Sequence, residues 1–484
     1  MKKKAELVFI PAMGIGHLVP MMEFAKRLLN RDDRFSITVF LIKPLFVSSE
    51  YISYTDFLAD SVPRLQFIHL PELDPPPSSY NLGNRGSLVS VLVETHKQLV
   101  KHTITNLFFS NSDSESAQTR APLAGLVIDL FCSTLIDIAN EVDVPPYIFF
   151  TSTAGFLGLL LHLPELDNQI NTDFKDSVTE LSIPSFTNPV PPFVLPLPLW
   201  SKKDDGYDCY LYHGRRFTEA KGVIINSFAE LEPTPLNSFS SGRIRPPPVY
   251  PVGPLIDLYG QGHNQNQLEE NIKSWLDDQP PSSVVFLCFG SRGSFNAAQV
   301  KEIAIGLERS GHRFLWALRR PPEKNKLHPP TDYVNIGEVL PEGFLNRTGE
   351  RGLVCGWVPQ TAVLAHRAIG GFVSHCGWNS ILEGMWFGVP IAAWPLYAEQ
   401  HLNAFEMVKE LGGLVVELRL DYRGGEDLVM AEEVERGVSR LMDSDCGVRM
   451  KVKEMMEKSK SALMDGGSSF NFLGSFIKDL MDED

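Results

Sequence analysis

Between residues 357 and 400 the chain reads WVPQTAVLAHRAIGGFVSHCGWNSILEGMWFGVPIAAWPLYAEQ. Trp357 and Trp378 present faces that can stack on a flat ring. Gln360, Asn379, Ser380 and Gln400 offer neutral hydrogen bonds, and Glu383 and Glu399 can each accept from neighbouring hydroxyls of a diol. His375 stands two residues before Gly377. Gly371 to Ser374 reads as a short apolar strand, followed by a glycine-containing turn and a helix that starts near Asn379. A helix N-terminus leaves backbone N–H groups unpaired and turns the positive end of its dipole outward, so it is an anion site. Asn379 and Ser380 are N-cap residue types that also donate to phosphate oxygens. Stacking, diol binding and anion binding in one run are what a base, a sugar and a phosphate require together.

A second reactive position follows the first apolar run, in PAMGIGHLVP. Gly14 and Gly16 permit a tight turn, and His17 opens the helix beyond it. His17 is either a turn and capping residue or a general base, since imidazole titrates near neutral pH. A dinucleotide reading of this turn fails twice: Val19 stands where the third glycine of G-x-G-x-x-G belongs, and the second strand ends in Ile42-Lys43 without an acid. Asp129 interrupts the apolar run GLVIDLFC. A carboxylate there needs a partner, because an unpaired buried charge is expensive. It either caps a helix beginning at Cys132 or Ser133, or bonds the His17 ring, fixing its tautomer and stabilising imidazolium.

Composition narrows the class. A net charge of −15 over 484 residues argues against a nucleic-acid binder, which needs a basic face, and means that local donors must hold a diphosphate. Cysteines at 132, 209, 288, 355, 376 and 446 form no CxxC pair, so they read as reduced thiols rather than a disulfide framework or zinc site. No base is aimed at Cys376, which is set aside as a nucleophile. The start MKKKAELVFIPAMG has a basic, apolar character, but Glu6 interrupts it and no cleavage pattern follows. Tyr147 to Leu163, the longest apolar stretch, contains Thr, Ser, Gly and His and falls short of a spanning helix. The chain reads as soluble, cytoplasmic and monomeric.

The positioning elements follow from periodicity. AELVFIP, SITVFLI, RLQFIHLP, LAGLVIDL and VPPYIFF are strands. HLVPMMEFAKRLLN is an amphipathic helix, with Met21, Phe24, Ala25 and Leu28 on one face. Asn111 to Gln118 is a polar loop, and the Pro-rich segment 181–201 is irregular chain over a pocket. The second half repeats the pattern. SSVVFLCFGS, HRFLWAL, RGLVCGW, GGFVSH and VPIAAWP are strands, and AAQVKEIAIGLERSG is a helix ending at Gly311. Continuous apolar strands alternating with helices predict parallel sheets buried on both faces. The expected architecture is α/β, with two doubly wound Rossmann-like domains facing across a cleft and ligands at strand C-terminal ends. Residues 1–250 form the first domain, 251–270 a linker and 271–460 the second domain, with 461–484 a final helix.

The 357–400 run resembles the signature box of plant family 1 UDP-dependent glycosyltransferases. The WxPQ opening, the HCGWNS core, the glutamate three residues after its serine and the closing Glu-Gln all stand in place. The resemblance implies the GT-B fold, with the last helix, about Phe470 to Leu480, returning to the first domain. It also implies an inverting transfer of glucose from UDP-glucose, as co-substrate, to a hydroxyl of a lipophilic flavonoid, other phenolic or terpenoid. His17 is then the base and Asp129 its partner.

Under the same resemblance Trp357 stacks on uracil, with Val358 and Gln360 at the uracil or ribose edges and Glu383 on the ribose hydroxyls. His375, Gly377, Asn379, Ser380 and Ser291 serve the diphosphate. Glu399 and Gln400 serve the hexose, with Glu399 standing where the family often carries Asp, and Tyr397 is a further residue of the donor site. Trp378 either packs under the diphosphate turn or approaches the sugar. The acceptor wall is expected from Met13, Ile15, Phe131, Phe150, Phe193, Leu195 and Trp200. No metal is expected, because the box has no carboxylate pair beside the phosphate position. Two other classes remain as alternatives: a nicotinamide oxidoreductase and an inactive sugar-nucleotide-binding protein. The latter predicts loss of His17 or Asp129, and both are present.

Overall fold

The computed structural model describes residues 4–43, 49–73, 85–110, 120–177, 179–258, 268–323, 328–425, 427–445 and 447–481. Two parallel sheets organise it. The first contains β1 (Ala5–Ile10), β2 (Phe35–Leu41), β3 (Leu65–His69), β4 (Leu123–Asp129), β5 (Pro146–Phe150), β6 (Gly222–Ile225) and β7 (Val249–Pro251). The second contains β8 (Val284–Cys288), β9 (Arg313–Ala317), β10 (Gly352–Cys355), β11 (Ile369–Ser374), β12 (Ile391–Ala393) and β13 (Val415–Glu417). Their orders are 3-2-1-4-5-6-7 and 10-9-8-11-12-13. In each, the order reverses beside the first strand, between β1 and β4 and between β8 and β11. Doubly wound sheets open a crevice at such a switch point.

The apolar runs form strands because helices cover both faces. Val8, Ile10, Ile128, Ile148 and Phe150 enter one core layer of the first sheet, while Leu7, Phe9, Val127, Tyr147 and Phe149 enter the layer on the other side. Val284, Phe286 and Cys288 part from Val285 and Leu287 in the same way. Successive side chains point to opposite faces, and both faces are dry.

β6, β7 and β13 were not read from the sequence. They are three or four residues long, and β7 and β13 lie at sheet edges, where short strands and Pro251 are tolerated. The 181–201 segment is irregular but ordered. Leu181 pairs with Val190 in an antiparallel bridge, short 3-10 turns cover Pro192–Val194 and Leu197–Leu199, and Val190, Val194 and Leu199 are buried. The expected loop 111–118, Cys446 and residues 259–267 of the expected linker lie outside the described residues.

The last described helix, Ser468–Met481, lies against the first sheet. Phe476 packs edge-on against Tyr147 and Tyr250, 5.1 and 5.5 Å between ring centres, and the Tyr250 hydroxyl donates to Asp479 at 2.7 Å. Among the described residues, no helix is long and apolar enough to cross a membrane.

Candidate active site

The first switch point carries an imidazole–carboxylate pair. β1 leads into a turn at Gly14, whose φ of 140° is a backbone state that L side chains rarely adopt. Gly16, by contrast, sits inside the helix Ile15–Arg31 and makes no such demand. His17 lies in the first turn of that helix, and Asp129 ends β4. His17 Nδ1 and Asp129 Oδ2 are 2.9 Å apart. His17 keeps 28% of its side chain exposed, while Asp129 keeps none. The Thr151 hydroxyl also lies 3.2 Å from Nδ1. Nδ1 is therefore occupied, and Nε2 is the nitrogen left for an incoming hydroxyl.

Asp129 meets both of the partners considered for it. Its Oδ1 accepts from the Phe131 N–H at 3.0 Å and caps the 3-10 turn Leu130–Leu135, which begins two residues before the expected helix start. The other oxygen holds His17. Burial lowers the His17 pKa, but the Asp129 charge and hydrogen bond, helped by Glu399, outweigh burial and raise it above 6.5, against an opposing effect of Arg292.

The second switch point carries the anion turn. Ser291 follows β8 and is exposed. After β11 the chain turns through Cys376, at φ 60°, into the helix Trp378–Trp386, capped by Gly377. The left-handed residue is thus Cys376. Its N–H donates to Ser374 Oγ at 3.2 Å and its carbonyl accepts from Asn403 at 3.2 Å, which holds a conformation costing about 1–2 kcal/mol. Gly377 is needed for space: a Cβ there would lie 2.6 Å from His375 Nε2. His375 is buried, its Nδ1 has no partner among the described residues, and burial pushes its pKa down to about 4. At neutral pH it offers one N–H and no charge.

Asn379 and Ser380 do not cap the helix but lie in its first turn. Asn379 Nδ2 reaches across the cleft to the Gly16 carbonyl at 3.0 Å. That carbonyl is available because Pro20, four residues on inside the first helix, has no N–H to give it. Gln360 Nε2 donates to Ser380 Oγ at 2.8 Å and to Glu383 Oε2 at 2.6 Å. Burial raises the Glu383 pKa to about 7, against the Gln360 bond. Glu399 accepts from Ser152 of the first domain at 3.2 Å. Gln400 is buried, and its Oε1 accepts from the Leu396 and Tyr397 N–H groups, both at 3.0 Å. Its N–H2 group is what remains for a ligand. Tyr397 is half-buried, with its ring 6.2 Å from that of His375.

Several expected contacts are relocated by packing. Of the two places left open for Trp378, its packing is that of a residue beneath the turn and not of one at the sugar: it is buried, and its indole N–H donates to the Asn226 carbonyl of the first domain at 2.6 Å. Val358 is buried in the core of the second domain, so only its main chain could reach a ligand. Trp357 is half-buried, and its backbone N–H is held by Asp332 at 3.0 Å. On the acceptor side, Phe150 and Leu195 are core residues, not pocket wall. Met13, Ile15 and Trp200 are half-buried, and Phe193 is 44% exposed. The Phe131 ring stands 5.7 Å from His17, 6.1 Å from Tyr210 and 5.8 Å from His213.

Sequence reading missed Tyr210 and His213, on the helix Asp205–Phe217, and missed Thr151 and Ser152. The latter pair carried a signal: they follow directly on β5, at the same sheet edge as His17. The helix carried none, because its contribution comes from folding back onto the turn after β4. Among the described residues, no group of three His, Cys, Asp or Glu side chains converges to hold a metal ion.

Two parallel-sheet domains closing on one cleft, with a base-like pair at one switch point and an anion turn at the other, define a GT-B glycosyltransferase architecture. The sequence comparisons agree. The family described as UDP-glucoronosyl and UDP-glucosyl transferase matches residues 248–434. UDP-glycosyltransferase 71K1 of Malus domestica is 50% identical over 99% of both chains. A putative UDP-glucose flavonoid 3-O-glucosyltransferase 3 of Fragaria ananassa is 51% identical over 99% of both. The crystal structure of Medicago truncatula UGT71G1 complexed with UDP-glucose is 44% identical and superposes with a TM-score of 0.86, covering 99% of this chain and 98% of that one. The chain belongs to the plant UDP-glycosyltransferase family.

Proposed function

We propose that the protein transfers glucose from UDP-glucose, with inversion, to a hydroxyl of a lipophilic small molecule: a flavonoid, another phenolic or a terpenoid. The observation that carries this reading is the 2.9 Å His17–Asp129 bond at a cleft whose other wall is the anion turn. Neutral His17 takes the acceptor proton on Nε2 while Asp129 stabilises the imidazolium. The acceptor oxygen attacks the anomeric carbon opposite the phosphate, the bond to the phosphate oxygen breaks, and UDP leaves with the electron pair. One displacement turns an α-linked donor into a β-O-glucoside. Backbone N–H groups at the Trp378 helix start, with His375, Asn379, Ser380 and Ser291, spread the leaving charge. Trp357, Gln360 and Glu383 hold the nucleoside, and Glu399 with the Gln400 amide holds the hexose. The relatives' names support the donor, and one of them supports the flavonoid class.

We read the enzyme as a monomer that needs no metal. The test is UDP release from UDP-glucose with a phenol, with and without EDTA, beside an NAD(P)H absorbance assay and light scattering. UDP release that survives EDTA, from a 54.1 kDa species, is the expected result. Nicotinamide turnover without UDP release, or UDP binding without turnover, would replace the reading with an oxidoreductase or a sensor.

A further inference from the structure

The anion turn carries no cation of its own, since no Lys or Arg lies between Arg367 and Lys409. Two guanidiniums gather elsewhere. Arg292 and Arg423 line a cavity of about 270 Å³, together with Asn296, Tyr397 and Tyr422. Arg292 is exposed and has no ion-pair partner among the described residues. It is close enough to His17 to influence its titration. Arg423 is half-buried. Among the described residues, its Nη1 reaches only the Tyr422 carbonyl, at a long 3.4 Å, and its buried Nη2 has no partner. Asp427 accepts from the Arg423 backbone N–H at 3.3 Å, but on the guanidinium Asp421 and Asp427 act through space, and burial still brings its pKa down to about 10. Its guanidinium lies 4.6 Å over the Trp200 ring of the first domain.

A buried guanidinium N–H2 with no acceptor is an exception to how proteins satisfy polar groups. Beside a second unpaired guanidinium, in a cavity, it is a place that an outside acceptor group completes. We infer that this cavity takes a carboxylate carried by the acceptor, so that hydroxylated aromatic or terpenoid acids are the preferred substrate class. The inference rests on the reading of His17 as the base. Trp200, half-buried at the edge of the first core, lies directly under Arg423, so apolar wall and guanidinium are continuous. The planar fork of arginine matches the two oxygens of a carboxylate, and such charge-assisted bonds are about twice as strong as neutral ones.

The test compares 4-hydroxybenzoate and 4-hydroxycinnamate with their methyl esters at pH 7.5. Turnover is read with UDP-glucose, and binding to the UDP-loaded protein is read by calorimetry. Each acid should be preferred over its ester by about ten- to hundredfold. The preference should fall toward one in the surface variant Arg292→Gln and reverse in Arg292→Glu. Arg423→Gln should act likewise, with melting measured because the site is packed. Equal use of acid and ester by the wild type overturns the inference while leaving the glucosyltransferase reading intact. Absence of UDP release with every acceptor sinks that reading instead, and calorimetry then still decides what the cavity binds. Two other sources of the same anion chemistry are separated in the same series. A preference for UDP-glucuronate over UDP-glucose that Arg292→Gln removes would move the carboxylate to the donor. Weakened UDP binding in Arg292→Gln would assign the guanidinium to the diphosphate. Either result overturns the acceptor assignment.

Discussion

Each sheet places one histidine at its switch point, and the two are set to opposite states. His17 is held by a fully buried carboxylate, which raises its pKa. His375 has no charged partner, and burial drives its pKa down to about 4. On the proposed mechanism the first imidazole gains a proton during turnover, and the second stays neutral while lending an N–H. What separates them is one residue in the adjoining strand: β4 ends in Asp129, while β8, beside β11, ends in Cys288 and a glycine turn. The same side chain becomes a base or a neutral donor according to whether its neighbouring strand delivers a charge.

The largest expected effect comes from breaking this division directly. His17→Ala should lower kcat by about 10²–10⁴-fold and leave UDP affinity nearly unchanged, since the nucleotide contacts lie in the other domain. His375→Ala should do the reverse, weakening UDP binding by roughly tenfold or more through loss of a bond to a charged phosphate. Calorimetry with UDP and a turnover assay on both variants check the pair. Wild-type turnover in His17→Ala would move the base elsewhere, and UDP binding lost equally in both variants would dissolve the division of labour.

Asp129→Asn is the next largest. The two oxygens of Asp129 have different partners: Oδ1 accepts from the Phe131 N–H and Oδ2 meets the His17 ring. An asparagine that keeps its carbonyl on the Phe131 N–H must present its N–H2 to His17 Nδ1. That nitrogen then accepts, the ring proton moves to Nε2, and the atom that should receive the substrate proton is already filled. Turnover should fall on the order of 10²–10³-fold, with KM values and melting temperature little changed, because the cap survives. Near-normal turnover would show that His17 works without a fixed tautomer.

How much of this was legible depended on whether the determinant was local. The strand–turn–helix at His375, the His17 turn and the lone carboxylate in β4 are all written in short runs of sequence, and the paired switch points follow from alternating apolar segments. The roles of individual box residues were less legible. Trp378 and Val358 have the residue types of ligand contacts, yet Trp378 donates to Asn226 across the domains and Val358 fills a core. Phe150 and Leu195 look like pocket wall but are buried. In a parallel sheet every apolar side chain near a strand end is a candidate for either place, and the helix packed behind it decides. The Asp205–Phe217 helix was not singled out at all, and it supplies Tyr210 and His213 around Phe131.

The histidines also make opposite pH signatures, a smaller but cleaner test. On the proposed mechanism His17 must be neutral to act, so kcat/KM should fall tenfold per unit as pH drops below its raised pKa. Its contribution to stability runs the other way: fully present below the unfolded value of about 6.5 and lost as pH rises through the folded pKa. His375 reverses that sign. Buried and neutral, it adds no pH-dependent cost above about pH 6.5, and that cost grows as pH falls toward 4, to about 3 kcal/mol. Denaturant midpoints of the wild type, His17→Gln and His375→Gln between pH 4 and 9 should therefore show the His17 difference shrinking with rising pH and the His375 difference changing most below 6.5. Parallel curves for the two variants would mean that the two environments do not differ as the packing indicates.

The smallest effect asks whether the nucleotide-sugar half reads hydroxyls with neutral groups alone. Gln400 uses its Oε1 on the Leu396 and Tyr397 N–H groups, so its N–H2 is the part left to meet the hexose. Glucose presents its 4-hydroxyl equatorially and galactose axially. One neutral hydrogen bond is worth about 0.5–1.5 kcal/mol, so kcat/KM for UDP-glucose should exceed that for UDP-galactose by roughly two- to tenfold. Gln400→Glu is the discriminating variant. It keeps two oxygens to accept from the loop N–H groups, and so preserves the turn, but it removes both donors to the sugar. The preference for UDP-glucose should then collapse toward one, with a lower melting temperature because a carboxylate replaces a buried amide. If discrimination persists in Gln400→Glu, the reading of the 4-hydroxyl belongs to Glu399, and the second domain would be using a charge at the sugar where it uses none at His375.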